Sequence, residues 1–488
     1  MTLERLAAAL GGARVDGSLA AEITAIVHDS RAVRPGALFV ALRGTRADGG
    51  TFVRDAIARG ASAVVLDAAH ARDLLPLPRG TTTLVVDDEA VALSRLAAAF
   101  YGAPSHALRV VGVTGTNGKT TTTHLVAAIL EASGLSTGIV GTLGARLGDR
   151  TWPLEGTTPL ADELQRTLAE LRDRGARAVA IEVSSHALAL GRVSDVRFDV
   201  AAFTNLTRDH LDFHGSLERY AAAKRSLFDR APHAVLNVDD ALGATWADEL
   251  RTSGRSVTTF ALACGADVRA TDVELRRDGS SFTVDGRRYA LALPGRFNVA
   301  NALAALGIAR VLGVDDATSA RALAAVARVR GRMECVGEAS FDVYVDYAHT
   351  PDALERVLAT ARELTRGRVL VVFGCGGDRD RGKRPQMGAI ASAAADIAIV
   401  TSDNPRGEDP RAVIDEIVAG ALAGAELAVE PDRRSAIRLA IARALPGDIV
   451  VIAGKGHEAY QATRDRIVAF DDAAEVRAAL AGAVEHAS

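Results

Sequence analysis

The feature that most constrains the fold is a glycine-rich loop between a predicted strand and a predicted helix. An apolar run at 108–113 (LRVVGV) leads into GVTGTNGKTTT at 112–122, and a helical pattern closed by Gly134 follows. Strand, glycine-rich loop and helix in this order are typical of a phosphate-binding loop. Gly115 and Gly118 would let backbone N–H groups turn toward a phosphate at the helix N-terminus. The pattern therefore predicts an α/β sheet that binds a nucleotide.

The polar residues of this loop have specific predicted roles. Lys119 would reach the β- and γ-phosphates of ATP, and the Thr120 hydroxyl would hold Mg²⁺. The common Walker pattern has one residue fewer between its first glycine and GK, so the loop is a variant. A glycine-rich turn that binds nothing is the alternative. We expect ATP to be bound by Gly115, Thr116, Asn117, Gly118, Lys119, Thr120 and Thr121.

The length of 488 residues exceeds what one hydrophobic core organises. We predict three domains: an N-terminal α/β domain at 1–105, a central domain with a mainly parallel sheet at 106–332, and a C-terminal Rossmann-like doubly wound domain at 333–488. The first contains the apolar runs EITAIV, ALFVAL and SAVVLD, and the second AVAIEV, FDVAAFTNL and HAVLNVDD. Hydrophobic residues at 48% and charged residues at 24% exclude a disordered chain.

Composition also excludes several classes of partner. A net charge of −4 without a Lys/Arg block argues against nucleic acid. Three scattered cysteines, Cys264, Cys335 and Cys375, argue against a disulfide framework or a cysteine zinc site. No run of 18 apolar residues and no apolar leader is present. We therefore expect a cytoplasmic protein that is not inserted in a membrane.

Polar sequences follow three apolar strands in the C-terminal region. FDVYVDYA, RVLVVFG, IAIVTS and DIVVIAG are predicted strands that alternate with helical segments, and GCGGDRDRGKRP, DNPR and GKGHE come directly after the last three. In open parallel sheets, ligands bind outside the carboxyl ends of the strands. These sequences are therefore candidates for a binding site.

Two further groups of polar residues follow strands of the central region. Glu182 ends the strand AVAIE, where its carboxylate can ligate the Mg²⁺ that bridges phosphates. The segment NLTRDHLDFHG places Asp209, His210, Asp212 and His214 after another strand. For any one of them a solvated loop position is the alternative. Together, near a phosphate loop, they favour a metal or phosphate site.

Nine motifs, taken in order, resemble those of the Mur ligases: GVTGTNGKTTT, EVSSHALALGR, TNLTRDHLDFHG with YAAAK, GRFNVANALAA, GRMECV, DYAHTPDAL, GCGGDRDRGKRP, DNPR and GKGHE. The resemblance extends from HDSR at 28–31 to Glu458. It implies an ATP-dependent amide ligase of peptidoglycan precursor synthesis. Within the family, the motifs are most similar to those of the enzymes that add meso-2,6-diaminopimelate to UDP-N-acetylmuramoyl-L-alanyl-D-glutamate.

The resemblance also implies roles around the nucleotide. Lys224 matches a lysine that the family carbamylates with CO₂, which turns a cation into an anionic metal ligand. A surface helix lysine is the alternative. Lys119, Lys224 and His210 would be the catalytic residues. The Mg²⁺ ligands would be Thr120, Glu182, His210 and the Lys224 carbamate, and nucleotide contacts would also come from Asn298, Arg332 and Asp346.

For the muramyl substrate, the resemblance implies a uridine-diphosphate pocket at Ser30, Thr45, Arg46 and Ala47. The muramoyl dipeptide would be held by Thr157, Thr158, Ser184 and Arg192. Leu190 stands where some family members carry glutamine, so a side-chain hydrogen bond is not expected from that position. Ordinary turn chemistry is the alternative for the serine and threonine residues.

The added amino acid has a distinctive chemical feature. Diaminopimelate carries a second carboxylate that lysine lacks, and a planar guanidinium pairs with such a group through two hydrogen bonds. Arg406 in DNPR is the candidate, with a helix-terminal salt bridge as its alternative. Glu458 would pair with the distal ammonium. The expected diaminopimelate-binding set is Arg379, Asp403, Asn404, Pro405, Arg406, Gly454 and Glu458.

The hypothesis for the reaction is that the D-glutamate carboxylate attacks ATP to form an acyl phosphate, which the diaminopimelate amine then attacks. A related ligase that adds lysine, or a folylpolyglutamate synthetase, is one alternative, against which HDSR and DNPR argue. A phosphate-loop NTPase that drives a protein partner and a non-catalytic nucleotide-binding regulator are the others. We expect a monomer.

Overall fold

The computed structural model describes residues 1–44, 47–337 and 339–487, with side chains of the last helix described to residue 482. The predicted alternation of helices and strands is confirmed, and the fold is α/β. The chain forms two compact units. One consists of residues 1–114, 134–202 and 223–234, and the other of residues 115–133, 203–222 and 235–488.

The elements up to residue 107 are α1 Leu3–Leu10, β1 Arg14–Asp16, β2 Ala25–Val27, β3 Ala37–Val40, α2 Val53–Ala58, β4 Ala63–Asp67, α3 Ala68–Leu74, β5 Thr82–Val86 and α4 Glu89–Phe100. Short 3₁₀ helices lie at Ser30–Ala32, Gly49–Phe52 and Pro104–His106. The strands lie in the order β1-β5-β4-β3-β2, and all neighbours are parallel except β1 and β5. The three predicted strands of this region are confirmed.

The elements from residue 108 to residue 261 are β6 Arg109–Thr114, α5 Lys119–Ala132, β7 Thr137–Gly141, β8 Gly144–Leu147, β9 Arg150–Trp152, α6 Ala161–Asp173, β10 Ala178–Glu182, α7 Ser185–Ala189, β11 Val200–Phe203, α8 Leu211–His214, α9 Leu217–Arg225, β12 His233–Asn237, α10 Ala241–Thr252 and β13 Ser256–Ala261. A 3₁₀ helix lies at Ser226–Arg230. In the first unit β10 lies between β6 and β7 and is parallel to both. Glu182 is in register with Val113, so it lies at the edge of the sheet where β6 leads into the phosphate loop.

The remaining elements are β14 Val268–Arg269, β15 Thr271–Arg276, β16 Gly279–Val284, β17 Arg287–Leu291, α11 Arg296–Val311, α12 Asp316–Ala325, β18 Glu334–Cys335, β19 Asp342–Asp346, α13 Pro351–Leu364, β20 Val369–Phe373, α14 Lys383–Ala394, β21 Ile397–Val400, α15 Pro410–Val418, β22 Leu427–Val429, α16 Arg433–Arg443, β23 Ile449–Ala453, β24 Tyr460–Ala462, β25 Ile467–Ala469 and α17 Asp472–Ala487. The three-stranded antiparallel sheet β15-β16-β17 is absent from the sequence predictions.

The C-terminal sheet has the order β18-β19-β23-β20-β21-β22. Its five later strands are parallel, and only β18 is antiparallel. One apolar core packs on each face: α13, α14 and α15 contribute to one, and α16 and α17 to the other. The predicted doubly wound sheet is therefore confirmed. It aligns the carboxyl ends of β19, β23, β20 and β21 along one edge.

No helix in the described part of the chain is long and apolar enough to cross a membrane.

Candidate functional site

The phosphate loop is built by two glycines and the start of α5. Gly118 has a left-handed φ of 87°, and a Cβ there would overlap the side-chain amide oxygen of Asn301. A Cβ on Gly115 would overlap the Thr204 hydroxyl. The Lys119 Nζ donates to the carbonyls of Gly115 and Thr116 at 2.9 and 2.8 Å. Only glycine fits both positions, so the loop can bring its backbone N–H groups close to an anion.

The loop is fixed from outside by the segment after β11. The Asn117 backbone N–H donates to the Asn205 side chain at 3.0 Å, and the Thr204 hydroxyl donates to the Asn117 carbonyl at 2.6 Å. The Thr116 hydroxyl lies 3.1 Å from the Tyr220 hydroxyl. Burial raises the pKa of Tyr220, so this phenol is a neutral hydrogen-bonding partner. These hydrogen bonds hold Thr116 and Asn117 of the phosphate loop in place.

Glu182 is 1% exposed at the carboxyl end of β10. Its carboxylate accepts from the Thr142 backbone N–H at 2.9 Å and the Thr142 hydroxyl at 3.0 Å. The Thr158 hydroxyl donates to its backbone carbonyl at 2.7 Å. These contacts fix the orientation of a buried carboxylate, as a metal ligand requires.

The polar segment after β11 is not uniformly solvated. His210 has a left-handed φ of 52°, and its Nε2 lies 3.2 Å from the Asp209 carboxylate. Burial opposes ionisation of Asp209, but the positive potential of His210, His349 and Lys383 outweighs it and lowers the pKa. His214 is buried, with its ring centroid 5.1 Å from that of Tyr220. Asp209 and His210 therefore form a contacting pair in this segment, and His349 and Lys383 lie close enough to influence the Asp209 carboxylate.

Lys224 lies on α9 and is only 1% exposed. The alternative of a surface helix lysine is therefore wrong.

The first unit contains a cavity of about 1210 Å³. Among the residues predicted for the muramyl substrate, Ser30, Ala47 and Arg192 line it, together with Leu190. Thr45 and Arg46 lie outside the described residues. The cavity wall also contains an ion pair in which His28 Nδ1 lies 2.8 Å from Asp162.

The four residues predicted for the dipeptide are held together. Arg192 donates to the Thr158 carbonyl at 2.8 Å, and the Ser184 backbone N–H donates to the Thr158 hydroxyl at 3.0 Å. The hydroxyls of Thr157 and Thr142 are 3.0 Å apart, and Thr142 contacts Glu182. This network links the Arg192 end of the cavity to the predicted metal ligand.

The three polar C-terminal sequences meet at the carboxyl edge of the sheet. The Asn404 amide nitrogen donates to Glu458 at 2.7 Å, and the Arg406 Nη1 donates to the Gly377 carbonyl at 2.9 Å. A Cβ added to Gly376 would contact the side chains of both Arg406 and Arg379. Three segments that are far apart in sequence therefore lie side by side at this edge of the sheet: DNPR, GKGHE and GCGGDRDRGKRP.

Two more members of this predicted set are constrained by backbone. Gly454 has a φ of 116°, and a Cβ there would lie 2.6 Å from an Asp403 carboxylate oxygen. Pro405 fixes the turn between Asn404 and Arg406, and a Cβ on Gly377 would overlap the Pro405 carbonyl. The loops after β20, β21 and β23 therefore pack backbone to backbone.

Of the three further residues predicted to contact the nucleotide, one touches the phosphate loop and two bind nearby backbone. The Arg332 Nη2 donates to the Thr120 hydroxyl at 3.0 Å, and its guanidinium lies 4.7 Å from the Tyr347 ring centroid. Asp346 is buried and accepts from the Met333 backbone N–H at 2.7 Å. Asn298 is 1% exposed and donates to the Pro294 carbonyl at 2.8 Å. Arg332 therefore makes a direct contact with the loop, whereas Asp346 and Asn298 stabilise local backbone.

Three family models match the chain. They are the Mur ligase family catalytic domain at 22–101, the Mur ligase middle domain at 113–309, and the Mur ligase glutamate ligase domain at 331–456. A UDP-N-acetylmuramoyl-L-alanyl-D-glutamate--2,6-diaminopimelate ligase of Geobacter metallireducens is 46% identical and aligns over 98% of both chains. One of the same name from Geobacillus thermodenitrificans is 44% identical over 98% of this chain and 99% of that protein.

The chain belongs to the Mur ligase family.

Solved structures agree with this membership. A structure of a 2,6-diaminopimelate-adding ligase superposes with a TM-score of 0.68 at 33% identity over 99% of both chains. The MurF ligase of Thermotoga maritima, in complex with ADP, superposes with a TM-score of 0.64 at 21% identity, over 95% of this chain and 98% of that one. The three-domain α/β Mur ligase fold is therefore the fold of this chain.

In this Mur ligase the predicted metal donors suit Mg²⁺ in part. The Thr120 hydroxyl and the buried Glu182 carboxylate are oxygen donors, which Mg²⁺ prefers. A carbamate on Lys224 would add oxygen donors, whereas an ammonium would add none. The His210 imidazole is a nitrogen donor and is less suited to Mg²⁺.

Several residues around the site of this Mur ligase were missed from the sequence. Asn117 donates to the Asp352 carboxylate at 2.9 Å, across 235 residues of chain. Asn301 and Tyr220 contact the phosphate loop from other helices. Asp352, Asn301 and Tyr220 lie inside the motifs DYAHTPDAL, GRFNVANALAA and YAAAK, but the motifs do not say which residues they would contact. Lys455 likewise lies inside GKGHE and could have been selected.

Proposed function

We propose that this protein is an ATP-dependent ligase that adds meso-2,6-diaminopimelate to UDP-N-acetylmuramoyl-L-alanyl-D-glutamate, forming ADP and phosphate. The reaction would take place in the cytoplasm, on a peptidoglycan precursor. The observation that carries the proposal is the cluster of Asn404, Arg406 and Glu458 at the sheet edge. It belongs to a chain whose relatives, 44 to 47% identical over nearly full length, bear the name of this ligase.

The proposed reaction has two steps. A carboxylate oxygen of the D-glutamate residue attacks the γ-phosphorus of ATP, the bond to the β,γ-bridging oxygen breaks, and ADP leaves. The diaminopimelate amine then attacks the acyl carbon, phosphate leaves with the electron pair of the C–O bond, and the nitrogen loses a proton. The amide that remains links the two amino acids.

In the first step this chain supplies positioning and positive charge. Gly115, Thr116, Asn117, Gly118, Thr120 and Thr121 would surround the phosphates of ATP. Lys119 would stabilise the charge that develops on the transferred phosphoryl group. Mg²⁺, when bound, would neutralise phosphate charge. Its ligands would be Thr120, Glu182, His210 and the carbamate of Lys224. Asn298, Arg332 and Asp346 would complete the nucleotide site.

We propose that the side chain of Lys224 is carbamylated. Its burial to 1% exposure supports it, because a buried ammonium near Mg²⁺ would repel the metal, whereas a carbamate would bind it. Intact-protein mass spectrometry of native protein should show the added mass of CO₂. Removal of bicarbonate should reduce that species and the activity in parallel, and bicarbonate should restore both. Unmodified Lys224 at full activity would overturn this assignment.

The muramyl substrate would occupy the cavity of the first unit. Ser30, Thr45, Arg46 and Ala47 would bind the uridine diphosphate, and Thr157, Thr158, Ser184 and Arg192 the dipeptide. The cavity volume of about 1210 Å³ supports a ligand as large as a nucleotide sugar with a short peptide. We also propose domain boundaries near residues 105 and 332, and a monomeric enzyme.

Diaminopimelate would bind at the carboxyl edge of the C-terminal sheet. Arg406 would pair with the distal carboxylate and Glu458 with the distal ammonium, while Arg379, Asp403, Asn404, Pro405 and Gly454 would shape the site. Arg406 donates to the Gly377 carbonyl through Nη1. That contact holds the guanidinium plane in place for a carboxylate.

Phosphate release from ATP tests the proposal. Purified protein is incubated with the muramyl dipeptide substrate and equal concentrations of meso-diaminopimelate, L-lysine or no amine. Release that requires the muramyl substrate and strongly prefers diaminopimelate supports the assignment. A preference for lysine would keep the ligase reaction and overturn the role of Arg406. Release that is indifferent to both substrates would favour an NTPase that acts on a protein partner.

A further inference from the structure

Lys455 is a fully buried cation that the proposed reaction does not use. Its side chain is 0% exposed, in the loop that follows β23. Its Nζ donates to the Asn404 side-chain oxygen at 3.0 Å. The same nitrogen lies 3.6 Å from the Asp403 carboxylate and 3.8 Å from the Glu458 carboxylate. One ammonium thus reaches three residues of the proposed amino-acid site.

These contacts determine which way the Asn404 amide points. Its oxygen accepts from Lys455 and from the Ala462 backbone N–H at 2.9 Å. Its nitrogen therefore faces Glu458, to which it donates at 2.7 Å. A flipped amide would place NH₂ against an ammonium and an N–H, and oxygen against a carboxylate, which are repulsive arrangements. Lys455 thus removes the alternative orientation.

Lys455 also balances charge in a poorly solvated place. Asp403 is buried, and burial raises the pKa of Glu458. Arg433 is a second buried cation near Asp403, but it is engaged by Asp472 at 2.7 Å, and both of these side chains are 0% exposed. Without Lys455, the buried Asp403 carboxylate and the partly buried Glu458 carboxylate would lose the ammonium that lies 3.6 and 3.8 Å from them.

We propose that Lys455 is a positioning residue that orients Asn404 and, through it, the Glu458 carboxylate, and so shapes the recognition site for the distal ammonium of the added amino acid. The inference rests on the proposed function. Glu458 would contact the distal ammonium, whereas Lys455 would act on that recognition without contacting the ammonium. Arg406 would recognise the other distal group, the carboxylate, independently of Lys455.

Steady-state kinetics of Lys455→Met and Lys455→Gln test the proposal. Met removes both charge and hydrogen bond, whereas Gln keeps a donor for the Asn404 oxygen. We expect the KM for diaminopimelate to rise about 10- to 100-fold in Lys455→Met and less in Lys455→Gln. The KM values for ATP and the muramyl substrate should stay within about twofold of wild type.

The matched control is Asp448→Asn, which weakens an ion pair between a buried carboxylate and a partly exposed arginine, just before the amino end of the same strand. Asp448 is 4% exposed and accepts from Arg368 at 2.7 Å. This variant should lower the melting temperature without changing the KM for diaminopimelate. Lys455→Met kinetics that match those of Asp448→Asn at similar stability would overturn the proposal, because Lys455 would then only stabilise the domain.

A double-mutant cycle with Asn404→Ala examines the route of the effect. If Lys455 acts through Asn404, the two substitutions together should raise the KM little more than Asn404→Ala alone. Additive effects would overturn the proposed route. If Lys455→Met does not fold, the same cycle is measured with Lys455→Gln. A wild-type enzyme that does not use diaminopimelate would instead count against the proposed function and is detected before any variant is made.

Discussion

Arg406 shows how a single residue of the site is held in an unfavourable conformation. Its φ of 52° lies in the left-handed region, which costs a non-glycine residue about 1 to 2 kcal/mol. Its backbone N–H donates to the Ala462 carbonyl at 3.0 Å, and its side chain donates to Gly377. These two bonds fix both ends of the residue. Contacts with the loops that would form the amino-acid site therefore hold Arg406 in its left-handed conformation.

Arg406→Ala should raise the KM for diaminopimelate about 10- to 100-fold, because a charge-assisted pair contributes roughly 1.5 to 3 kcal/mol. The KM for L-lysine should change much less, since lysine has no distal carboxylate. Steady-state phosphate release with each amine measures both effects. Arg411→Ala, an exposed arginine at the start of α15, is the control and should behave as wild type. Equal losses with both amines would contradict a carboxylate-specific role.

Asp346 gives a prediction about pH. Burial raises its pKa to about 6 from an ordinary 3.8, although Arg332 and two backbone N–H groups oppose the shift. A folded-state pKa above the unfolded value means that the protein is most stable with Asp346 protonated, and that this stability is lost as the pH rises from about 4 through about 6. The free energy of unfolding of wild type should therefore fall by ~2 kcal/mol relative to Asp346→Asn over this range.

Urea unfolding of wild type and Asp346→Asn at several pH values between about 4 and 8 measures this difference. Asparagine keeps an acceptor for the Met333 backbone N–H but cannot ionise. Parallel stability curves for the two proteins would show that the carboxyl titrates normally.

At the residue scale, the sequence was informative where neighbours in the chain form the site. The phosphate loop and the loops after β20, β21 and β23 are local patterns, and each lies where a strand ends. Partners from distant segments could not be predicted in this way. Asp352 reaches Asn117, and Lys455 reaches Asn404, only because the chain folds. Asp352 lies in DYAHTPDAL and Lys455 in GKGHE, so the motifs point to both residues, but one sequence contains no information on which residue each of them would contact.

Helix α5 illustrates how an element is matched to its site at one end only. Gly118 precedes it with a φ of 87°, in a place where a Cβ would overlap Asn301. Gly134 follows it with a φ of 90°, and nothing lies within 4 Å of an added Cβ. Both glycines relieve backbone strain, but only the first also makes room for a close neighbour. Comparing substitutions at Gly118 and Gly134 therefore distinguishes the effect of backbone strain from the effect of loop geometry.

Gly118→Ala should raise the KM for ATP by at least about tenfold, because the loop must move away from Asn301 and its N–H groups lose their alignment. Gly134→Ala should lower stability by about 1 kcal/mol through strain alone and leave the KM for ATP unchanged. Nucleotide titration and thermal unfolding of both variants make the comparison. Similar changes in KM would mean that helix stability, rather than loop geometry, controls nucleotide binding.

At the element scale, the predictions succeeded for buried parallel strands and failed for a small antiparallel sheet. The strands β19, β20, β21 and β23 are continuous apolar runs, which are easily recognised. The sheet β15-β16-β17 has mixed polar and apolar residues, so its hydrophobic pattern is weak. Its turns contain Asp-Gly at 278–279 and 285–286, the strongest short-range hairpin signal. That signal could have identified the sheet.

At the scale of the molecule, two hydrogen bonds connect the phosphate loop to the C-terminal sheet region within the second unit. Asn117 donates to Asp352 in the first turn of α13, and Arg332 donates to Thr120. Both loop residues belong to the proposed nucleotide site. A nucleotide that orders the loop should therefore also stabilise α13, because the two are joined by a buried or half-buried contact.

Hydrogen exchange of α13 with and without ADP tests this coupling. In wild type, ADP should slow exchange in the first turns of α13 about tenfold or more, since one kcal/mol or so of added local stability suffices. Asp352→Ala should abolish most of that protection while ADP still slows exchange in the phosphate loop. Glu355→Ala, an exposed residue in the next turn, should retain the full response. Protection of α13 that survives in Asp352→Ala would mean that Arg332 alone connects nucleotide binding to the C-terminal sheet region, and combining the variant with Arg332→Ala should then remove it.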